Sequence, residues 1–281
     1  MAHIDQFDYG WITPALSYAL SVLGSLLGLT CALRARAAVG PTQRAWWLFL
    51  AAWAIGGTAI WSMHFMAMLG FSVTGEQIRY DVGLTAASAI IAIVVVGVGL
   101  LIAGLGRPML VKVVVGGVIS GLGVAAMHYT GMAAMRINAD IHYDHTRVGL
   151  SIAIAVVAAT VALWLAVNVK GTPAVIGSAL IMGVAVNGMH FTGMYAMSAH
   201  VHEAERQLSG ATASALLLPI VLAVILVVVA LIYAVLAAPT DDDRAGAAYL
   251  DARIAGRAEE PPAAPDPHGL AAGRTRFPTR R

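Results

Sequence analysis

The chain has little charge and almost no cysteine. Only 11% of its 281 residues are Asp, Glu, Lys or Arg, while 59% are hydrophobic; a soluble globular domain carries roughly 25% charged residues. With a mean hydropathy of +0.79, that deficit excludes an ordinary soluble fold. The net charge of +2 is too small and too scattered for a nucleic-acid-binding face. The single cysteine, Cys31, lies in an apolar run. One cysteine excludes an internal disulfide and a thiolate metal cluster, and it reads as a small buried side chain. Residues 1–13 hold Asp5 and Asp8 but no Lys or Arg, so the basic start of a secretory signal is missing.

Long apolar runs are what the chain has instead. About 20 apolar residues span a bilayer, and seven runs qualify, at about 14–33, 46–70, 84–105, 113–135, 149–169, 173–197 and 212–237. They are continuous and not alternating, so they read as helices and not as barrel strands. The expectation is an all-α polytopic protein with an outer segment 1–13, a seven-helix domain 14–238 and a disordered cytoplasmic tail 239–281. A short helix around Asp241–Arg257 is compatible with the tail's composition. With the N-terminus outside, the inner connections hold Arg34, Arg36, Arg44, Arg107, Lys112 and Lys170, and the outer ones Arg79, Arg136, Arg147 and Arg206. The arginine-rich tail adds to the inner side, which favours this orientation. The basic end of the tail suits anionic lipid or plain solvent.

Three of the runs contain nearly the same words: Met63-His64-Phe65-Met66-Ala67-Met68, Met127-His128-Tyr129-Thr130-Gly131-Met132 and Met189-His190-Phe191-Thr192-Gly193-Met194. The histidines are 64 and 62 residues apart, and Gly57, Gly121 and Gly183 each precede one by seven. The unit is a helix running outward with the motif near its end, an outer loop and a returning helix. Repeats cover about 46–105, 113–169 and 173–237, with an extra N-terminal helix. Parallel repeats share an axis along the membrane normal, so a pseudo-threefold bundle with the histidines at one depth is expected. A histidine about seven residues from its helix end lies roughly 10 Å below the outer surface.

At 100° per residue, the methionine four after each histidine lies about 40° from it and the glycine seven before about 20°. Met68, Met132 and Met194 therefore share the histidine face, and the glycines permit close helix approach below it. Met63, Met127 and Met189 point about 100° away, toward a neighbouring helix. Burying ionisable side chains in a membrane is costly and marks functional sites. Imidazole suits zinc, copper and iron, and thioether sulfur selects Cu(I). His64, His128 and His190 with the methionines thus favour copper. A three-histidine zinc site with an open position is the alternative, although no matched buried carboxylate offers a general base. Asn187 has no counterpart in the other repeats. A second, outer-loop site could draw on His142, His145, His200 and His202 with Asp144 and Glu203.

These residues resemble the MHYT-domain integral membrane sensors of bacteria. Met127-His128-Tyr129-Thr130 reproduces the naming motif, and the segments at Met63 and Met189 are similar to variant copies. The resemblance covers about residues 10–238. It implies sensing of a diatomic gas (oxygen, carbon monoxide or nitric oxide) through copper held by the motif residues, with Met63, Met127 and Met189 named as ligands beside the histidines. Many such sensors carry cytoplasmic output domains. This tail resembles none, so the expected output is a separate cytoplasmic or membrane signalling partner. The leading expectation is a non-enzymatic copper-binding sensor. A zinc-dependent membrane hydrolase and a metal transporter or chaperone are the alternatives.

Overall fold

The computed structural model describes residues 4–107, 109–201, 208–239 and 241–259. Seven helices are long and apolar enough to cross a membrane, and each agrees with a run expected from the sequence to within five residues at either end. They are α1 (Ile12–Ala37), a second span built of α2 (Pro41–Ala52), a π-helical segment (Trp53–Ser62) and α3 (Met63–Met68), then α4 (Val82–Gly104), α5 (Leu110–Ala133), α6 (His145–Asn168), α7 (Thr172–Met194) and α8 (Ala213–Ala237).

Local chemistry sets where the helices start. At one end of the bundle Gly40 (φ 91°) precedes Pro41, and Gly171 (φ 80°) precedes Thr172-Pro173. Glycine accepts the left-handed backbone, and proline is preset for a first helical turn. At the other end Asp81 and Asp144 cap α4 and α6, accepting hydrogen bonds from Leu84 N (3.0 Å) and Arg147 N (2.9 Å).

Six spans close into a ring in which motif-bearing and plain helices alternate: α1, the α2–α3 span, α4, α5, α6, α7 and back to α1. Short antiparallel ladders repeat the same relation three times. The strand after each motif pairs with the strand before a plain helix. Thus β2 (Ser72–Val73) pairs with β1 (Ile4–Asp5) ahead of α1, β4 (Met135–Arg136) with β3 (Arg79–Tyr80) ahead of α4, and β6 (Met197–Val201) with β5 (Ala139–Tyr143) ahead of α6. The N-terminal helix, outside the sequence repeat, therefore completes the third unit in space. Helix α8 follows β7 (Ala211–Thr212), which adds to β3, and lies on the outside of the ring with only Leu231 buried, against Leu27 and Ala54.

Each plain helix offers a buried serine to a motif helix. Ser17 donates to Asn187 Oδ1 (2.6 Å), and Asn187 Nδ2 donates to Ser21 (3.0 Å). Trp61 Nε1 donates to Ser88 (3.0 Å), and the Tyr129 and Ser151 hydroxyls lie 2.6 Å apart. Bonds of this type between membrane helices average about 0.6 kcal/mol each. Asn187 is thus a helix-joining residue of α1 and α7.

One expectation is corrected. The close glycine approach holds at Gly121, where a Cβ would collide with Val156 of α6, and at Gly183, where it would press on Val22 and Tyr18 of α1. Gly57 has nothing nearer than 3.6 Å; Gly56 instead sits against Ala92 and Ile93 of α4. The π segment widens the winding between Trp53 and Ser62, which moves the contact back by one residue. In the tail, Asp241–Glu259 is helical (α9), over the segment where the composition allowed a short helix at about Asp241–Arg257. Its alanines, arginines and leucine are good helix formers despite their low hydrophobicity.

Candidate metal centre

His64 is the second residue of the short helix α3, and His128 and His190 lie near the ends of α5 and α7. They stand four or five residues before their helix ends at Met68, Ala133 and Met194, about 6–8 Å along the axis. This is nearer the end than the expected seven residues, because each helix gives way early to its ladder strand. All three are buried, at 2%, 0% and 1% exposure.

The alternating ring turns the three histidines onto its axis. Nδ1 of His64 lies 3.0 Å from Nδ1 of His190 and 3.2 Å from Nδ1 of His128. The ring centroids are 5.0, 5.0 and 5.2 Å apart, and the planes cross at 74° to 86°. A neutral imidazole has one N–H and one lone-pair nitrogen. Nδ1 of His64 therefore forms a good hydrogen bond with one neighbour and not with both. Three protons on the facing nitrogens would collide, and three lone pairs would repel. One cation on the axis removes the conflict. Nitrogens about 2.0 Å from a shared ion at tetrahedral angles stand about 3.3 Å apart, close to the separations seen. The donor set fits a metal ion.

The outward nitrogens are equally particular. Nε2 of His64, His128 and His190 has no hydrogen-bond partner among the described residues. Gly131 lies against Nε2 of His64, and Gly193 lies against Nε2 of His128; a methyl group at either glycine would overlap the ring. The glycine three after the histidine is thus the seat of the neighbouring imidazole. Ala67 holds that position in the first repeat.

The two methionine sets part company. Met68, Met132 and Met194 come together with Phe71, Tyr80, Met135 and Met197 in an apolar cluster at the ladder end. Met63, Met127 and Met189 are also buried. Met189 lines a cavity with Ile60, Val124 and Val186, the residues one turn before the three histidines, toward the opposite end. The sequence reading missed the role of the N-terminal segment. Gln6 is buried and donates to the carbonyl of Met194 (3.4 Å), and Phe7 packs on Phe191 with ring centroids 5.6 Å apart.

Among the described residues the triad is the one group of three or more His, Cys, Asp or Glu within reach of a single ion. No Asp or Glu among the described residues is buried beside it. The loop histidines among the described residues do not assemble a comparable group. His142 and His200 meet ring to ring at 5.4 Å, Asp144 is the α6 cap, and His145 begins α6. His202 and Glu203 lie outside the described residues.

A family model described as the bacterial signalling protein N-terminal repeat, MHYT, matches residues 57–116, 121–179 and 183–247. The chain is 37% identical over 225 residues to the bifunctional diguanylate cyclase/cyclic di-GMP phosphodiesterase MucR of Pseudomonas aeruginosa, covering 77% of this chain and 32% of that protein. It is 37% identical over 158 residues to the cyclic di-GMP phosphodiesterase NbdA of the same organism, covering 54% of this chain and 20% of that one. An uncharacterized signaling protein of Caulobacter vibrioides is 36% identical over 167 residues, covering 59% and 20%. The chain spans about a third or less of the length of these relatives. No solved structure matches it.

Proposed function

Since the chain belongs to the MHYT family of bacterial membrane signalling proteins, we propose that its histidine triad is a sensory metal centre, with copper as the resident ion and a diatomic gas as the signal. The observation that carries this reading is the approach of Nδ1 of His190 and Nδ1 of His128 to Nδ1 of His64, at 3.0 and 3.2 Å, among three buried imidazoles. His64, His128 and His190 hold the ion. Imidazole with nearby thioether and neither thiolate nor carboxylate suits copper, and zinc is the alternative. When bound, a cuprous ion offers an open position to dioxygen, carbon monoxide or nitric oxide.

The protein's own residues do the rest. Met68, Met132 and Met194, with Phe71 and Tyr80, keep water from the ladder side, and their sulfurs are candidates for a fourth ligand. Gly131 and Gly193 fix two rings in place. The Lys and Arg distribution favours the ladder end outside and the glycine–proline turns inside. The output is assigned to a cytoplasmic or membrane partner in cyclic di-GMP signalling, the chemistry named for MucR and NbdA.

Metal analysis tests the reading. The full chain, purified in lipid nanodiscs and loaded with copper or zinc, is compared with the triple variant His64→Ala, His128→Ala, His190→Ala. Wild type should retain one copper per chain and the variant none. Equal metal in the two would overturn the proposal, and retention of zinc in preference to copper would overturn the choice of ion. An infrared band from carbon monoxide on the reduced copper form, absent from the variant, tests the gas.

A further inference from the structure

On the inner side of the triad lies a cavity of about 50 Å³. Its ceiling is Ile60, Val124 and Val186, each one turn before a histidine, so it sits on the ring axis about 6 Å from the imidazoles. Its wall is a set of α6 alanines, Ala155, Ala158, Ala159 and Ala162, whose short side chains leave the space. Its one polar feature is Ser25, which is fully buried and whose hydroxyl has no hydrogen-bond partner among the described residues. A water needs two to four polar partners, and this cavity offers one. The volume exceeds the roughly 10–15 Å³ that a single water requires and is far below the roughly 150 Å³ that takes benzene.

A second hollow opens on the membrane-facing side between α6 and α7, bounded by Val157, Val161 and Ile181, which are 63%, 43% and 61% exposed. It shares Ala158, Met182 and Ala185 with the axial cavity. Only the thickness of these residues separates the two. Met182, 4% exposed, is the flexible member, since an unbranched thioether side chain changes rotamer readily.

We propose that the axial cavity is a chamber for a small apolar molecule of diatomic size, which enters from the bilayer between α6 and α7 past Met182 and meets Ser25 as its single polar contact. Its purpose rests on the reading of the triad as a gas-responsive centre; its occupancy does not. Apolar gases partition into hydrocarbon, so a lateral door draws on the richer reservoir and keeps water from the buried imidazoles.

Dissolved dioxygen is a direct probe, because it is paramagnetic. The full chain, methyl-labelled, stripped of metal and held in nanodiscs, should show strong relaxation of the Val186, Ile60 and Ala159 methyls, comparable with lipid-facing Val157. Relaxation at those methyls no greater than at Ala32, which is buried away from the cavity, would overturn the chamber. Ala159→Leu should remove the enhancement at Val186 and leave that at Val157. Met182→Trp should reduce the axial enhancement several-fold; an undiminished one would overturn entry from the bilayer. Should either variant fail to fold, xenon under pressure on wild type decides occupancy by whether the atom is found on the axis or only in the outer hollow. Oxygen in the chamber of a chain that retains no copper would leave this proposal standing and sink the metal centre.

Discussion

Gly131 of the second repeat lies against Nε2 of His64 in the first, so closely that a methyl group there would overlap the ring. The motif glycine is thus a packing surface for the neighbouring imidazole. Gly131→Ala should favour the helix intrinsically, by about 1 kcal/mol, while pushing the imidazole off the axis. Residues that orient a metal ligand typically change affinity by 10–100-fold when altered. Copper affinity by competition with a chromophoric chelator should fall within that range, with the helical circular dichroism retained. An unchanged affinity would show that His64 is free to shift.

The sign of an apolar substitution of the triad should depend on metal. Nδ1 of His64 faces both partners, at 3.0 and 3.2 Å, and without a cation at least one of those contacts is unsatisfied. Removing His64 alone takes that contact from His128 and His190 and costs about 1–3 kcal/mol, whereas replacing all the partners by apolar groups of similar size is close to neutral or stabilising. The triple variant His64→Leu, His128→Leu, His190→Leu should leave the melting temperature of chelator-treated protein unchanged or raised. In excess copper the wild type gains stability by mass action, about 2.7 kcal/mol at one hundred times the dissociation constant, and the variant gains none. Thermal unfolding with and without copper checks both halves.

Much of this site was legible from residue spacing. Three copies of one motif at 64 and 62 residues foretold three histidines at one depth, and the 100° rule placed Met68, Met132 and Met194 together. Gly57 was misread because a π segment has no sequence signature as plain as a repeat, and one residue of slack shifted the contact to Gly56. The part played by α1 had a signal that a search for histidines passes over. Tyr9 and Ser17, Tyr80 and Ser88, and Tyr143 and Ser151 have the same spacing, and all three serines are buried at helix interfaces. The cavity beside Ser25 was not legible, because it depends on which alanines of α6 face the axis.

Acid should loosen the ladder end before the membrane core. Asp81 has its carboxyl held below the usual carboxylate range, first by the backbone N–H of Leu84 and next by the guanidinium of Arg136. A folded-state value below the unfolded one means that the contribution is present above the unfolded value, about 3.9, and is lost as pH falls through the lower folded value. Hydrogen exchange of Tyr80, Asp81 and Leu84 should therefore quicken below about pH 4, with α5 amides unaffected. Asp81→Asn keeps an acceptor for Leu84 and should flatten this pH dependence.

The ring predicts unequal consequences for loss of the two outermost spans. Helix α1 packs against the second span and α7, ties to Asn187 through Ser17 and Ser21, and is anchored by the β1·β2 ladder. Removing residues 1–38 would unseat the helices that carry His64 and His190 together. Helix α8 contributes one buried residue, Leu231, and the short β7 pairing. Ending the chain at residue 208 should lower stability modestly, because Leu27 and Ala54 lose their cover, yet leave the three Nδ1 atoms facing one another. Copper stoichiometry of the two truncations in nanodiscs measures the difference: near wild type for the C-terminal one and near zero for the N-terminal one. The reverse result would mean that α8, and not α1, is the working partner of α7, as the sequence repeat alone suggests.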